Sequence, residues 1–246
     1  MKRFLFAILL FSSFPTFSQT IPDQYIDFYQ DVEMASFKKK LKMIDKAIKK
    51  NPTEPWFYWM KASAYSISND QVKTLENYEK ALTVDSNFSG GHASLSRFLY
   101  NNDSTKLEKA LFHINKAIQL DSSDFYFYID RGYIFLALKK YNLAEAEAKF
   151  VLSLPEVDYL PPCQLLVETL NACGKKAELN EFILKYDLSQ FGGFMDTNFD
   201  RLLGTLYEEI GEHEKACACF QSAAQPYSWM DEEMPADLVL KLKNCN

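Results

Sequence analysis

TEPWFYWMKASAYSISNDQVKTLENYEKALTVDSNF, residues 53–88, contains the pattern that decides the fold. In its first half, one face of a 3.6-residue helical period carries Tyr58, Ala62 and Tyr65. A second stripe of the same period follows at Thr74, Leu75, Tyr78, Ala81 and Leu82. Between them stands Ser-Asn-Asp at 68–70, and these residue types form turns and cap the next helix. The stretch therefore predicts two antiparallel helices joined by a tight turn.

The same pattern returns along the chain at intervals of 34 to 37 residues. The column near the end of each second helix reads Ala47, Ala81, Ala117, Val151, Tyr186 and Ala223. A mostly small residue recurs in the first helices, at Ala62, Ser96, Gly132, Val167 and Gly204. Because a lone helical hairpin leaves an apolar face uncovered, repeated hairpins are expected to stack on one another. The fold class is therefore expected to be all-α.

These copies resemble the tetratricopeptide repeat family. The segments that carry the resemblance are LLGTLYEEIGEHEKACACFQSAA at 202–224 and GYIFLALKKYNLAEAEAKFVL at 132–152, with KAIKKNP, KALTVDS and KAIQLDS ending three earlier copies. The resemblance implies a right-handed superhelical solenoid of about six antiparallel helix pairs. It also implies a docking surface for other proteins, although the family's small and aromatic columns are packing residues and name no partner.

We expect one repeat domain over residues 19–246. Its copies cover 21–52, 53–88, 89–122, 123–155, 158–187 and 197–226, and a capping helix covers 231–246. The first copy lacks the small residue of the first-helix column, so it is interpreted as a degenerate repeat that also caps the amino-terminal end. In the tail, one apolar stripe typical of a closing amphipathic helix is formed by Met234, Leu238, Val239 and Leu242.

Residues 1–18 have the pattern of a signal peptide. Lys2 and Arg3 precede an apolar run over 4–14, and Thr16 and Ser18 are small residues at the positions that signal peptidase reads. Cleavage is predicted before about Gln19. An uncleaved membrane anchor is the less favoured alternative, because the run is shorter than the roughly 20 apolar residues that cross a bilayer. The mature protein is expected to be periplasmic or secreted, without stable membrane insertion.

The charge of the chain argues against nucleic acid as a partner. Removal of the signal peptide lowers the formal net charge from −6 to −8. Phosphate binding needs clustered Lys and Arg, and the overall field here is repulsive to phosphate. The one basic run lies at residues 38–50, where its lysines spread around the polar side of a helix.

Catalytic and metal-binding patterns are absent from the sequence. It contains no phosphate-cradling glycine loop, no nucleophile elbow and no histidine pair at helical spacing. The three histidines, His92, His113 and His213, are predicted to lie apart, with His92 in a packing column. The acidic residues at 208–214 are interpreted as a solvated rim. We therefore expect a protein that is not an enzyme and uses no cofactor.

All five cysteines lie in the second half of the chain. Cys163 and Cys173 are ten residues apart on one helix, about 15 Å, which is too far for a disulfide. Cys217 and Cys219 point to different sides of another helix. Cys245 lies near the end of the closing helix, which should run beside the helix of Cys217. A disulfide between Cys217 and Cys245 is the preferred prediction, and buried free thiols are the alternative.

In the family the first helices line a concave groove. The resemblance therefore places one side of each first helix on it, at Trp56, Trp59, Ser63, Arg97, Tyr100, Tyr126, Ile129 and Tyr133. Tryptophan and tyrosine are good anchors because they are large and stiff and can form a hydrogen bond at one end. The alternative is that these rings pack on neighbouring first helices or under the amino-terminal segment.

Three functional hypotheses follow from this groove. The preferred one is a non-catalytic interaction module or scaffold that binds a peptide or helix of another envelope or secreted protein. A glycan or small-ligand binding protein could use the same aromatic side chains, which also stack on sugar faces. The third hypothesis is a structural spacer in an envelope assembly, for which the groove would be dispensable.

Overall fold

The structure is a computed structural model that describes residues 21–155, 160–191, 197–228 and 233–245. These residues form thirteen α-helices and four short 3-10 turns, with no strand among them, which confirms the prediction of an all-α fold. The predicted signal peptide lies outside the described residues. Contacts divide the chain into two compact units, one within residues 17–157 and one within residues 158–246.

The first unit is a series of helical hairpins. Its helices are α1 (Ile26–Glu33), α2 (Phe37–Lys50), α3 (Pro55–Ile67), α4 (Gln71–Val84), α5 (Ser89–Asn102), α6 (Leu107–Leu120), α7 (Phe125–Ala137) and α8 (Tyr141–Leu152). Helix α3 packs against α4, α5 against α6 and α7 against α8, and each pair also contacts the next. The predicted succession of antiparallel helix pairs is therefore present in this unit.

The second unit has two hairpins and a last short helix. Its helices are α9 (Leu160–Ala172), α10 (Lys176–Tyr186), α11 (Thr197–Glu209), α12 (His213–Ala224) and α13 (Ala236–Lys243). Helix α9 packs against α10, α11 against α12, and α13 against α12. The buried Tyr207 ties α11 to the end of α10, because its hydroxyl donates to the Ile183 carbonyl at 3.1 Å and accepts from the Leu188 amide at 3.0 Å.

The turn between α3 and α4 follows from its three residues. Asn69 adopts the left-handed conformation with φ of 59°, which asparagine tolerates better than most residues. The Asp70 side chain then accepts a hydrogen bond from the Lys73 amide at 3.1 Å and caps α4. The corresponding turns of three other hairpins also contain a residue with positive φ, namely Lys139, Gly174 and Gly211.

Small residues allow the two helices of each hairpin to approach closely. Ala62 and Ala81 are both 0% exposed in the α3–α4 pair. In the next pair, the buried Ser96 hydroxyl donates to the Ala110 carbonyl across the helix contact, at 2.7 Å. The repeating small columns of the sequence are therefore packing positions, as the resemblance implied.

Candidate functional site

The candidate site is the side of α3, α5 and α7 for which the groove was predicted, here called the first-helix face. Its partly exposed members, which define it from here on, are Trp56, Ser63, Arg97, Tyr100, Tyr126 and Tyr133. These six residues come from three successive first helices of the first unit. Tryptophan, tyrosine and arginine side chains that are partly exposed on a packed scaffold are typical of protein-binding surfaces.

Trp59 does not lie on this face, which corrects the prediction. Its side chain is 8% exposed, and its indole Nε1 donates to the buried Ser94 hydroxyl on α5 at 2.7 Å. Tyr29 of α1 contributes a ring 6.5 Å from the indole, centroid to centroid. The alternative interpretation, packing on a neighbouring first helix, holds for Trp59.

Ile129 is the second correction. Its side chain is 4% exposed on α7, so it belongs to the interior and offers no surface to a partner. Ser63 remains half-buried on α3 and keeps its predicted place. The helical period alone assigned both positions to one side, but only the packed neighbours decide how deep each side chain lies.

Trp56 is held in a fixed orientation. Its ring centroid lies 5.4 Å from that of Trp59 in an edge contact and 4.9 Å from that of Phe88. The Glu54 carboxylate caps α3 by accepting from the Trp56 amide, and it also accepts from the Tyr25 hydroxyl at 2.8 Å. Trp56 therefore presents a preorganised ring, which lowers the entropic cost of binding.

A charge pair crosses the middle of the first-helix face. The Arg97 guanidinium on α5 donates through Nε and Nη2 to the two carboxylate oxygens of Asp130 on α7, at 3.2 and 2.7 Å. Burial raises the pKa of the Asp130 carboxyl, and Arg97 opposes that shift. Arg97 was predicted to lie on this face, and Asp130 was not. The only feature of the sequence that indicates their pairing is their separation of 33 residues, which is close to one repeat.

The remaining aromatic residues surround this pair. Tyr126 stacks on Phe125 with a centroid distance of 4.3 Å at the start of α7. Tyr100 and Tyr133 stand further along α5 and α7 and are half-exposed. The face therefore combines tryptophan and tyrosine rings with one internally paired arginine. This arrangement suits apolar and hydrogen-bonding contact more than recognition of a strongly charged group.

A buried histidine pair lies beneath the surface of the α5–α6 hairpin, contrary to the prediction that the histidines lie apart. His92 Nε2 faces the Ser86 carbonyl at 3.1 Å, so it must donate, and His92 Nδ1 is then an acceptor. His113 Nδ1 donates to it at 3.0 Å. Burial lowers the pKa of both rings, and burial with the neighbouring His92 and Lys109 lowers that of His113 to about 4.

This pair does not make a metal site. Among the described residues, no group of three or more His, Cys, Asp or Glu side chains could hold a metal ion. The sequence could not reveal the pair, because the two rings meet across antiparallel helices, 21 residues apart, and share no helical spacing.

In the second unit, the structure joins Cys217 of α12 to Cys245, just after α13, with the Cα atoms 5.5 Å apart. His213 Nε2 lies 3.7 Å from the Cys217 sulfur. Cys163, Cys173 and Cys219 are thiols outside this disulfide, and burial with nearby Asp200 and Asp187 raises the pKa of the Cys219 thiol to about 12. The buried Cys219 thiol is therefore a poor nucleophile.

Comparison with known proteins agrees with this architecture. The sequence model of the tetratricopeptide repeat matches residues 202–225. PilW, a widely conserved type IV pilus biogenesis factor, superposes with a TM-score of 0.65 at 16% identity, over 90% of this chain and 93% of that one. For PilF of Pseudomonas aeruginosa the TM-score is 0.67 at 18% identity, over 90% and 95% of the two chains.

YrrB, a tetratricopeptide repeat protein with an unusual peptide-binding site, superposes with a TM-score of 0.53 at 20% identity, over 82% of this chain and 97% of that one. A comparison with curated proteins finds no match. The family match over residues 202–225 and the helical-hairpin fold both agree with the resemblance to tetratricopeptide repeat proteins that the sequence predicted. Proteins of this class are generally interaction scaffolds rather than enzymes.

Within the ranges that the structure describes, no helix is both long and apolar enough to cross a bilayer.

Proposed function

We propose that this chain is an exported, non-catalytic docking protein whose first-helix face binds a peptide or helix of another envelope or secreted protein. Export rests on the signal-peptide pattern of residues 1–18 and is part of the proposal. The partner class rests on the face itself, since likeness at 20% identity or less speaks only for the fold.

The observation that carries the proposal is the half-exposure of four large aromatic side chains on one face, Trp56, Tyr100, Tyr126 and Tyr133. A chain of this class needs aromatic residues for packing, but packing alone would bury them, as it buries Trp59. The partly exposed rings leave apolar area accessible, and aromatic contacts of this kind dominate binding energy at protein interfaces.

The buried neighbours explain why this face could bind without rearranging. Trp59 and Ile129 are buried, and the Arg97–Asp130 pair links α5 to α7. Because the Trp56 ring packs against the Trp59 ring and the Tyr126 ring stacks on Phe125, these two side chains lose little conformational entropy on binding. Partner side chains would lie against the rings, while the paired Arg97 would contribute little net charge.

The test is site-specific cross-linking in cells that express the chain natively. A photoreactive phenylalanine analogue replaces Tyr100 in one variant and Tyr133 in another. Both positions are expected to capture the same discrete protein, and adding Trp56→Ala is expected to lower the yield at least about tenfold, as loss of a hot-spot tryptophan does.

A matched control places the same analogue at Tyr141 of α8, a half-buried tyrosine on a second helix. Capture of the same protein from position 141 would show that the first-helix face is not the contact. If neither position 100 nor position 133 yields a protein adduct while the fold is intact, the peptide-binding proposal is wrong. Binding of labelled glycans that is lost on Trp56→Ala would then favour the sugar hypothesis.

A further inference from the structure

The carboxy-terminal helix α13 has few noncovalent contacts that could hold it in place. It contains eight residues, of which Leu238 alone is buried. Val239 and Leu240 are 37% and 61% exposed, so part of the apolar surface of this helix faces solvent. A helix of this length is not stable by itself in water. Its place in the structure must therefore come from contacts with α11 and α12.

Those contacts are incomplete. A cavity of about 320 Å³ lies between α13 and the α11–α12 hairpin, bordered by Leu202, Phe220 and Leu238. Two ion pairs join α13 to α11, between Asp237 and Arg201 and between Lys241 and Glu208, and both are partly exposed. Partly exposed ion pairs of this kind contribute little to stability. Noncovalent packing alone is a weak attachment for α13.

The disulfide supplies the remaining attachment, and its two sulfurs differ in accessibility. Cys217 is 9% exposed within α12, whereas Cys245 is only half-buried beyond the end of α13. An incoming thiolate attacks the sulfur that it can reach, and the other sulfur becomes the leaving group. His213 Nε2, 3.7 Å from the Cys217 sulfur, is placed to donate a hydrogen bond to that leaving group.

We propose that the disulfide between Cys217 and Cys245 is a site of thiol–disulfide exchange with an external dithiol, and that exchange releases α13. In the first step a thiolate of the dithiol attacks the Cys245 sulfur. A bond forms between these two sulfurs as the bond to Cys217 breaks, and the electron pair passes to Cys217. The resulting thiolate accepts a hydrogen bond from His213 and later takes a proton from solvent.

The second thiol of the reagent completes the reaction. As its thiolate it attacks the reagent sulfur of the mixed disulfide, which releases Cys245 as a thiolate and leaves the reagent as its own disulfide. The protein disulfide is thus reduced by two electrons that the dithiol supplies. With both cysteines reduced, α13 is held by noncovalent contacts alone, among them Leu238, the two ion pairs and the Lys241 ammonium over the Phe220 ring. It then separates from α11 and α12. This inference is independent of the proposed first-helix face.

The direction of attack is tested on the oxidised full chain with 2-mercaptoethanol, a monothiol that leaves a trapped adduct. After an acid quench, peptide mass analysis is expected to find the mixed disulfide mainly on Cys245. An adduct mainly on Cys217, or no reaction until the chain is unfolded with denaturant, would overturn the proposal.

Release of α13 is tested by hydrogen exchange after reduction with dithiothreitol. Amides of residues 236–243 are expected to exchange at the rate of an unstructured peptide, at least about tenfold faster than in the oxidised chain, while α11 and α12 stay protected. The double variant Cys217→Ser/Cys245→Ser is expected to show the same exchange without reductant. Unchanged protection of 236–243 in either experiment contradicts release.

The part played by His213 is tested by the rate of reduction. His213→Asn is expected to slow reduction by dithiothreitol about three- to tenfold, because the departing thiolate loses its hydrogen-bond donor. Glu214→Gln changes the neighbouring exposed side chain of α12 and serves as the matched control, with an unchanged rate. Equal rates for the two variants would remove His213 from the mechanism.

Discussion

At the residue scale, the hydrogen bond between the Trp59 indole and the Ser94 hydroxyl is a buried link between α3 and α5. Ser94→Ala removes the acceptor and leaves the indole donor in an apolar surrounding. We expect the free energy of unfolding to fall by about 1–3 kcal/mol, the usual cost of an unsatisfied buried polar group. Chemical denaturation of the two purified proteins measures the difference.

The control for this prediction is Ser66→Ala on α3, the helix that carries Trp59. Ser66 is exposed, so its replacement should change stability by less than about 0.5 kcal/mol. If Ser94→Ala were as neutral as Ser66→Ala, the indole of Trp59 would have to find another acceptor, and the buried position described for it would be in doubt.

The histidine pair predicts a loss of stability in mild acid. Both rings have a pKa below their ordinary value of 6.5 in the folded chain, about 4 for His113. The unfolded chain therefore takes up protons first as the pH falls below 6.5, which favours unfolding. For His113 this cost grows until the pH reaches about 4, by up to roughly 1.4 kcal/mol per pH unit, and His92 adds a cost of the same sign.

The double variant His92→Gln/His113→Gln isolates this effect. The half-buried Asp130 and Glu147 have raised pKa values, so protonation of these carboxyls at low pH favours the folded chain and partly masks the loss. Those carboxyls are common to both proteins and cancel in the comparison. Unfolding free energies from pH 7 to 4.5 should fall more steeply for the wild type, and parallel curves would show that the pair does not titrate as described.

The depth of a side chain was the part of the site that sequence could not supply. Trp56 and Trp59 lie three residues apart on one side of α3, and the helical period treats them alike. The structure buries Trp59 against α5, where its indole donates to Ser94, and leaves Trp56 half-exposed. That difference depends on residues more than 30 positions away, which no local pattern contains.

At the element scale, the α11–α12 hairpin shows why the first helices carry a small residue where they approach the second helices. A Cβ atom built on Gly204 would lie 2.6 Å from the Phe220 ring, closer than real contacts allow. Gly204→Ala gains helix propensity of about 1 kcal/mol but forces the packed helices apart. Since overpacking typically costs about 1–3 kcal/mol, we expect a net loss of stability, measured by chemical denaturation.

Two further variants separate packing from backbone effects. Gly204→Ala/Phe220→Leu removes the ring that the new methyl group would meet and should recover part of the stability that Gly204→Ala loses. Gly174→Ala, at a turn with φ of 75° and no atom within 4 Å, should lose stability through backbone strain alone. If Phe220→Leu gave no recovery in the Gly204→Ala background, the close approach at Gly204 would not be the cause.

The helical hairpins themselves were predictable because their signals are local. Ser-Asn-Asp at 68–70 predicted the turn that the structure shows between Ile67 and Gln71, and the apolar stripes predicted the helices on both sides. The closing helix was expected over 231–246 and spans Ala236–Lys243. Ends of helices depend on caps and tertiary contacts, which explains why the helix was found and its length was overestimated.

At the scale of the whole molecule, the description of function depends on where the chain is found. The disulfide and the proposed envelope partner both suit an oxidising compartment outside the cytoplasm. Residues 1–18 are the feature that would bring the chain there, since a basic start and a short apolar run form an export signal. The proposal that the partner is an envelope or secreted protein therefore depends on export of this chain.

We expect the protein recovered from its native cells to begin at about Gln19 and to lack Lys2 and Arg3. Intact mass analysis without reductant should show the loss of residues 1–18 together with the two hydrogen atoms given up in the disulfide. Alkylation of the unfolded, unreduced chain should then label three cysteines instead of five. The control Leu9→Arg interrupts the apolar run, so this variant should stay uncleaved and remain in the cytoplasm. A wild-type chain that keeps residues 1–18 and resists salt extraction from membranes would instead be anchored by these residues. The proposal of a cleaved, exported protein would then be wrong, and the chain would be a membrane-tethered protein.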